Sequence, residues 1–154
     1  MNLFEKKRLS RLKDKDMVFK FLDARSEKTG FFSSLFDIYT FAIALGVKRR
    51  KSSPLNGPTN DPIQIVYFTD EQRKFMDMVI IHHSNGDIEK IDKANEKTVQ
   101  EMLTTIERYA NGGLEIILKT IENHPENAFE QILLLLNDEL TEEIPDEAEE
   151  DILW

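Results

Sequence analysis

The sequence predicts a mainly α-helical single domain: a helical bundle with one short extended or β segment near 62–68 and an acidic C-terminal tail. Three observations predict it. The chain has 154 residues, which fits one domain and hardly two. It is 40% hydrophobic and 9% aromatic, enough to build a core, and its apolar residues recur mostly at helical spacing. A β-branched and aromatic run occurs once. The helical domain is expected over 1–140, with a basic N-terminal helix at about 3–25 and a core at about 26–140. Residues 141–154 form the acidic, flexible tail.

From Leu3 to Arg25, Val18, Phe21 and Leu22 fall at helical spacing beneath a lysine-rich face, which predicts one helix. Thr29-Gly30 punctuates. From Phe32 to Leu45, apolar residues lie on nearly every side, including Leu35, Phe36, Ile38, Tyr39, Phe41 and Ile43. A helix apolar all round is a buried one. Gly46 is expected to supply its left-handed stop. Val47 to Asp61 holds Pro54, Asn56, Gly57, Pro58 and Asn60, residues of turns. Ile63 to Phe68 reads as the extended segment, and its unpaired backbone requires a mate in this chain or another.

Thr69 with Gln72 three positions on predicts a capping box opening a helix to about Ser84, which Asn85-Gly86 closes. A helix follows from about Asn95 to Asn111, with Val99, Met102, Leu103, Ile106, Tyr109 and Ala110 on one stripe. Gly112-Gly113 is expected to break it before Leu114, Ile117, Leu118 and Ile121 restart the period. The last helix, about Pro125 to Leu140, places Phe129, Ile132, Leu133 and Leu136 on its inner face. Leu134 and Leu135 widen the arc, so this helix is either wedged between others or forms a homo-oligomer contact over 125–140.

The net charge of −9 is unevenly spread. Residues 1–52 carry 13 Lys+Arg against 6 Asp+Glu, whereas 53–154 carry 7 against 23. From Asp138 to Trp154 there are nine acids and no base. Such a run repels itself and stays solvated, yet it ends in Ile152-Leu153-Trp154, an apolar knot suited to docking in a partner's groove.

No apolar run approaches the ~20 residues that cross a bilayer, and MNLFEKKRLSRLKDKD lacks a secretory signal's apolar stretch. The expected location is the cytoplasm, with no membrane partner. The chain has no cysteine, which excludes disulfides, thiolate metal sites and cysteine catalysis. No phosphate-cradling glycine loop, nucleophile elbow or two-histidine zinc helix is present. His82 and His83 are adjacent, about 100° apart on a helix, and cannot share a metal by themselves. No catalytic residue, metal or cofactor is expected, and the chain is expected not to be an enzyme.

Lys48-Arg49-Arg50-Lys51 is the sharpest polar motif. Cations there suit the negative end of the preceding helix. With Ser52 and Ser53 they also make a loop able to hold phosphates or an acidic partner, extended by Lys6, Lys7, Arg8, Arg11, Lys13 and Lys15.

Three segments together resemble a known family. They are Phe36 to Gly46 followed by Lys48-Arg49-Arg50, then Pro62 to Phe68, and then Glu107-Arg108-Tyr109-Ala110-Asn111-Gly112-Gly113-Leu114-Glu115-Ile116-Ile117. In order, over about 26–122, they are similar to the small accessory protein associated with bacterial DNA phosphorothioation (Dnd) systems, the fourth of the numbered accessory families. The resemblance implies a non-enzymatic component of a phosphorothioation or related antiphage defence and restriction system, and carries over no catalytic residues.

The leading expectation is an accessory or adapter subunit acting through protein–protein binding to other subunits of such a system. A first alternative is sequence-independent binding of the DNA backbone by the basic N-terminal half, with the acidic tail as brake. A second is a small regulatory or antitoxin-like protein neutralising a basic partner.

Overall fold

The computed structural model describes residues 1–25 and 30–142. Within them five helices carry the fold: α1 (Asp16–Leu22), α2 (Leu35–Lys48), α3 (Asp70–His83), α4 (Glu96–Ile121) and α5 (Ala128–Glu142). Two short strands, β1 (Arg8–Leu9) and β2 (Ile63–Gln64), complete it. The mainly helical class read from the sequence is present. The β segment expected near 62–68 is present as Ile63–Gln64 only, because the chain turns into a 3₁₀ helix over Ile65–Tyr67.

α4 is the axis. Its 26 residues span about 39 Å, and Val99, Met102, Ile106, Ala110, Leu114, Ile117 and Ile121 are buried along it. The expected break at Gly112-Gly113 does not occur, and Gly46, expected to end α2, lies inside that helix. None of the three adopts a left-handed φ. Their work is close packing. α2 lies on α4 along the most extensive interhelical contact. A Cβ on Gly113 would overlap the Ala42 carbonyl, one on Gly46 the Tyr109 carbonyl, and one on Gly112 the Lys51 carbonyl. Backbone meets backbone at these points.

The left-handed stop of α2 falls instead on Arg50, at φ 53°. The Lys51 N–H reaches back to the Gly46 carbonyl at 2.8 Å, closing the helix end. α3 behaves as its sequence predicts. Thr69 and Gln72 make both bonds of the capping box, and Asn85 at φ 59° precedes Gly86 at the exit.

The segment 3–25 is not one helix. It runs through a 3₁₀ turn (Phe4–Lys6), β1, a second 3₁₀ turn (Lys13–Lys15) and then α1. Phe4, Leu9 and Leu12 are all buried. Phe4 and Leu9 would stand about 140° apart on a helix, so both reach the core only when the chain leaves helical geometry. β1 pairs antiparallel with β2, Leu9 opposite Ile63. The strand at 63–64 thus finds its mate within the chain.

Ser10 fixes this N-terminal arm to the bundle. Its N–H donates to the Glu107 carboxylate, and its carbonyl accepts from the buried Tyr39 hydroxyl at 3.3 Å. Burial raises the Glu107 carboxyl above the usual carboxylate range, and burial with the nearby Glu107 charge pushes the Tyr39 phenol well up. A raised carboxylate stabilises the fold fully below the unfolded value near 4.5, and that contribution is lost as pH rises through the folded value. Glu107→Gln keeps an acceptor for Ser10 without the charge. Urea melts are therefore expected to show the variant more stable than the parent at pH 7, with the gain shrinking as pH falls to 4.

Candidate functional site: the loop after α2 and the outer face of α5

The chain after α2 folds down onto the middle of α4. The Ser53 N–H donates to the Arg108 carbonyl at 3.0 Å, and the Ser53 hydroxyl to Glu115 at 3.0 Å. The Asn111 amide, buried, donates to the carbonyls of Ser53 and Pro54, each at 3.3 Å. Lys51 pairs with Glu115 at 3.2 Å. The segment Glu107 to Ile117 is therefore a docking strip. Glu107 holds Ser10, Asn111 and Glu115 hold the loop, and the glycines admit the backbones of Ala42 and Lys51.

The four cations expected to act together are divided by this geometry. Arg49 pairs with Glu139 of α5, a buried carboxylate 90 residues away. Arg49 and Lys51 line a cleft of about 430 Å³ with Ile116, Lys119, Thr120 and Leu135. Arg50 turns into a second cleft, of about 360 Å³, beside Ser52, His82, His83, Asn85 and Tyr109. There the His83 Nδ1 and the Tyr109 hydroxyl are 2.8 Å apart. Lys48 is exposed on the last turn of α2. Among the described residues, Arg50 is the member of the run whose side chain makes no ion pair or hydrogen bond.

Lys119 and Thr120 had no sequence signal, because what brings them to Arg49 is the approach of α5 to α4. Of the N-terminal cations, Lys7 pairs with Glu96, Lys15 is buried beside Asp14, and the Arg11 guanidinium lies 4.6 Å over the Phe19 ring. Among the described residues, no three His, Cys, Asp or Glu side chains converge as a metal site requires.

α5 packs with a different face from the one expected. Ala128, Ile132, Leu135 and Glu139 are buried, whereas Phe129, Leu133 and Leu136 are exposed with Leu134 and Leu140. The apolar arc is wide enough for either face to turn inward. The small Ala128 and the Arg49–Glu139 pair select the observed one. The Phe129 ring meets Phe31 edge-on at 5.1 Å, continuous with Phe32 and Phe41. Ile152, Leu153 and Trp154 lie outside the described residues.

No helix among the described residues is long and apolar enough to cross a membrane. No curated protein and no solved structure matches the chain. A family model does, over residues 8–153. It takes in both strands, the loop after α2 and the whole docking strip on α4. The chain therefore belongs to the family described as DNA sulphur modification system-associated protein 4.

Proposed function

We propose that the chain is a non-enzymatic accessory subunit of a DNA sulphur modification system, acting in the cytoplasm by binding protein subunits of that system. One observation carries the reading. An entire face of α5, from Phe129 to Leu140, holds large apolar side chains in solvent, and such faces mark interaction surfaces. The polar groups of the family-like segment support it, because Glu107, Asn111 and Glu115 are each engaged in seating other parts of the chain. The test is co-expression of the tagged chain with the subunits of a DNA sulphur modification system. Stoichiometric capture of at least one of them through a salt wash is the expected result, and capture of none would overturn the reading.

A second reading rests on Arg50. A left-handed arginine with no side-chain partner, beside Ser52 and two histidines, suits a phosphate of the DNA backbone. The carbonyl ends of α2 and α3 converge there too, and part of that positive charge serves them. Fluorescence anisotropy with labelled duplex, with and without phosphorothioate, checks it. Salt-sensitive binding lost in Arg50→Gly is the outcome this reading requires.

A further inference from the structure

From the exposed face of α5 we infer a docking site for a basic amphipathic helix of a partner protein, rather than for a second copy of this chain. The inference rests on the accessory-subunit reading above and names the surface and the chemistry of its occupant.

The face has a coiled-coil period. Phe129, Leu133, Leu136 and Leu140 follow one another at spacings of four, three and four residues, the d-a-d-a order of a two-heptad seam. All four are exposed, Leu133 at 49% and Leu140 at 63%. They form a row separate from the residues that hold α5 to the bundle, namely Ala128, Ile132, Leu135 and Glu139. Removing the outer row therefore need not release the helix. At the Phe129 end the row meets Phe31, so an incoming helix would lie along α5 and end against an aromatic wall. A helix laid into a groove is read by anchors at this spacing.

Charge decides what that helix is. From Thr120 to Trp154 the chain has twelve acids and no Lys or Arg. On α5, Glu130 is exposed beside the apolar row, one position after Phe129, whereas Asp138, also exposed, lies on the far side of the helix from that row. A second copy laid against the first would bring a second Glu130 and a second run of acids without a base to the same seam, where like charges oppose pairing. A helix with Leu-type residues on one side and Lys or Arg at its flanks meets both the apolar row and Glu130 beside it. The homo-oligomer contact over 125–140 that the leucine-rich sequence suggested is the arrangement this charge pattern disfavours.

The experiment uses the full chain and the exposed double variant Leu133→Ser/Leu136→Ser, with Glu130→Lys as a second variant that leaves the apolar row intact. Two synthetic two-heptad peptides serve as probes, both with Leu at a and d, one with Lys and the other with Glu elsewhere. Anisotropy is expected to show the Lys peptide binding the parent chain, weakening as salt rises. Binding should fall roughly tenfold or more in the leucine variant and about threefold in Glu130→Lys, with little binding of the Glu peptide. Thermal melts and light scattering accompany each protein.

No binding of the Lys peptide, or binding unchanged in the Leu133→Ser/Leu136→Ser variant at an unchanged melting temperature, overturns the inference. So does a dimeric parent that the same variant makes monomeric, because α5 then covers itself. The two levels of the proposal separate in the co-expression assay. If the parent captures a system subunit and the double-serine variant captures it equally, the accessory reading stands and this docking site fails. If the parent captures nothing yet binds the Lys peptide through the leucine row, the site stands and its assignment to that system fails.

Discussion

Gly113→Ala is expected to destabilise the protein by about 3 kcal/mol, the upper end of what overpacking costs, and to lower the melting temperature by about 6–12 °C for a chain of this size. The sign is the informative part. Inside an unencumbered helix the same change stabilises by about 1 kcal/mol, because alanine loses less backbone freedom than glycine. Here the new methyl group points at the Ala42 carbonyl across the α2–α4 contact. What it meets is backbone, which cannot rotate aside as a side chain would. Either α2 shifts outward or α4 unwinds locally, and both unseat the core around Ile43, Ile106 and Leu114. Equilibrium denaturation measures the loss, and hydrogen exchange should place the loosened amides on both helices. A neutral or stabilised variant would show that the helices are not in backbone contact.

The same glycines show how far the sequence could be read. Apolar patterning located α2, α5 and both halves of α4, though not their union across Gly112-Gly113, and Thr69 with Gln72 marked a helix start through purely local bonds. A glycine pair carries no such local signal. It reads equally as a helix break or as a seat for another backbone, and only the arrival of α2 decides between them. The N-terminal arm was misread for the related reason that Leu9 answers to Ile63, 54 residues away, rather than to its neighbours. The candidate sites were legible as composition and not as geometry. Lys48 to Lys51 stood out as a run, but nothing local announces that Arg49 answers Glu139 and Lys51 answers Glu115. On α5 the leucines were plain to see, while the choice of inner face depended on Arg49 and on the smallness of Ala128.

That division of the basic run leads to the second large effect. Arg49→Ala is expected to cost about 2 kcal/mol: less than the ~3–5 kcal/mol of breaking a fully buried pair, because the Arg49 side chain is 37% exposed, but enough to leave Glu139 buried without its cation. The damage should localise to α5, whose amides exchange faster while those of α2 and α4 stay protected. Arg50→Gly, one residue on, should be neutral or stabilising by up to about 1 kcal/mol, because glycine adopts a left-handed φ without strain and no side-chain ion pair or hydrogen bond is lost. Neutralising all four cations together would confound these effects, since lost ligand binding and a loosened α5 would look alike. The single-residue contrast separates them. If Arg49→Ala leaves both stability and α5 exchange unchanged, α5 is held by Ala128, Ile132 and Leu135 alone, and Arg49 is then as available to a phosphate as Arg50. If α5 loosens as expected, Arg49 is a fixture of the fold that sets which face of α5 looks outward, and phosphate binding by the run rests on Arg50.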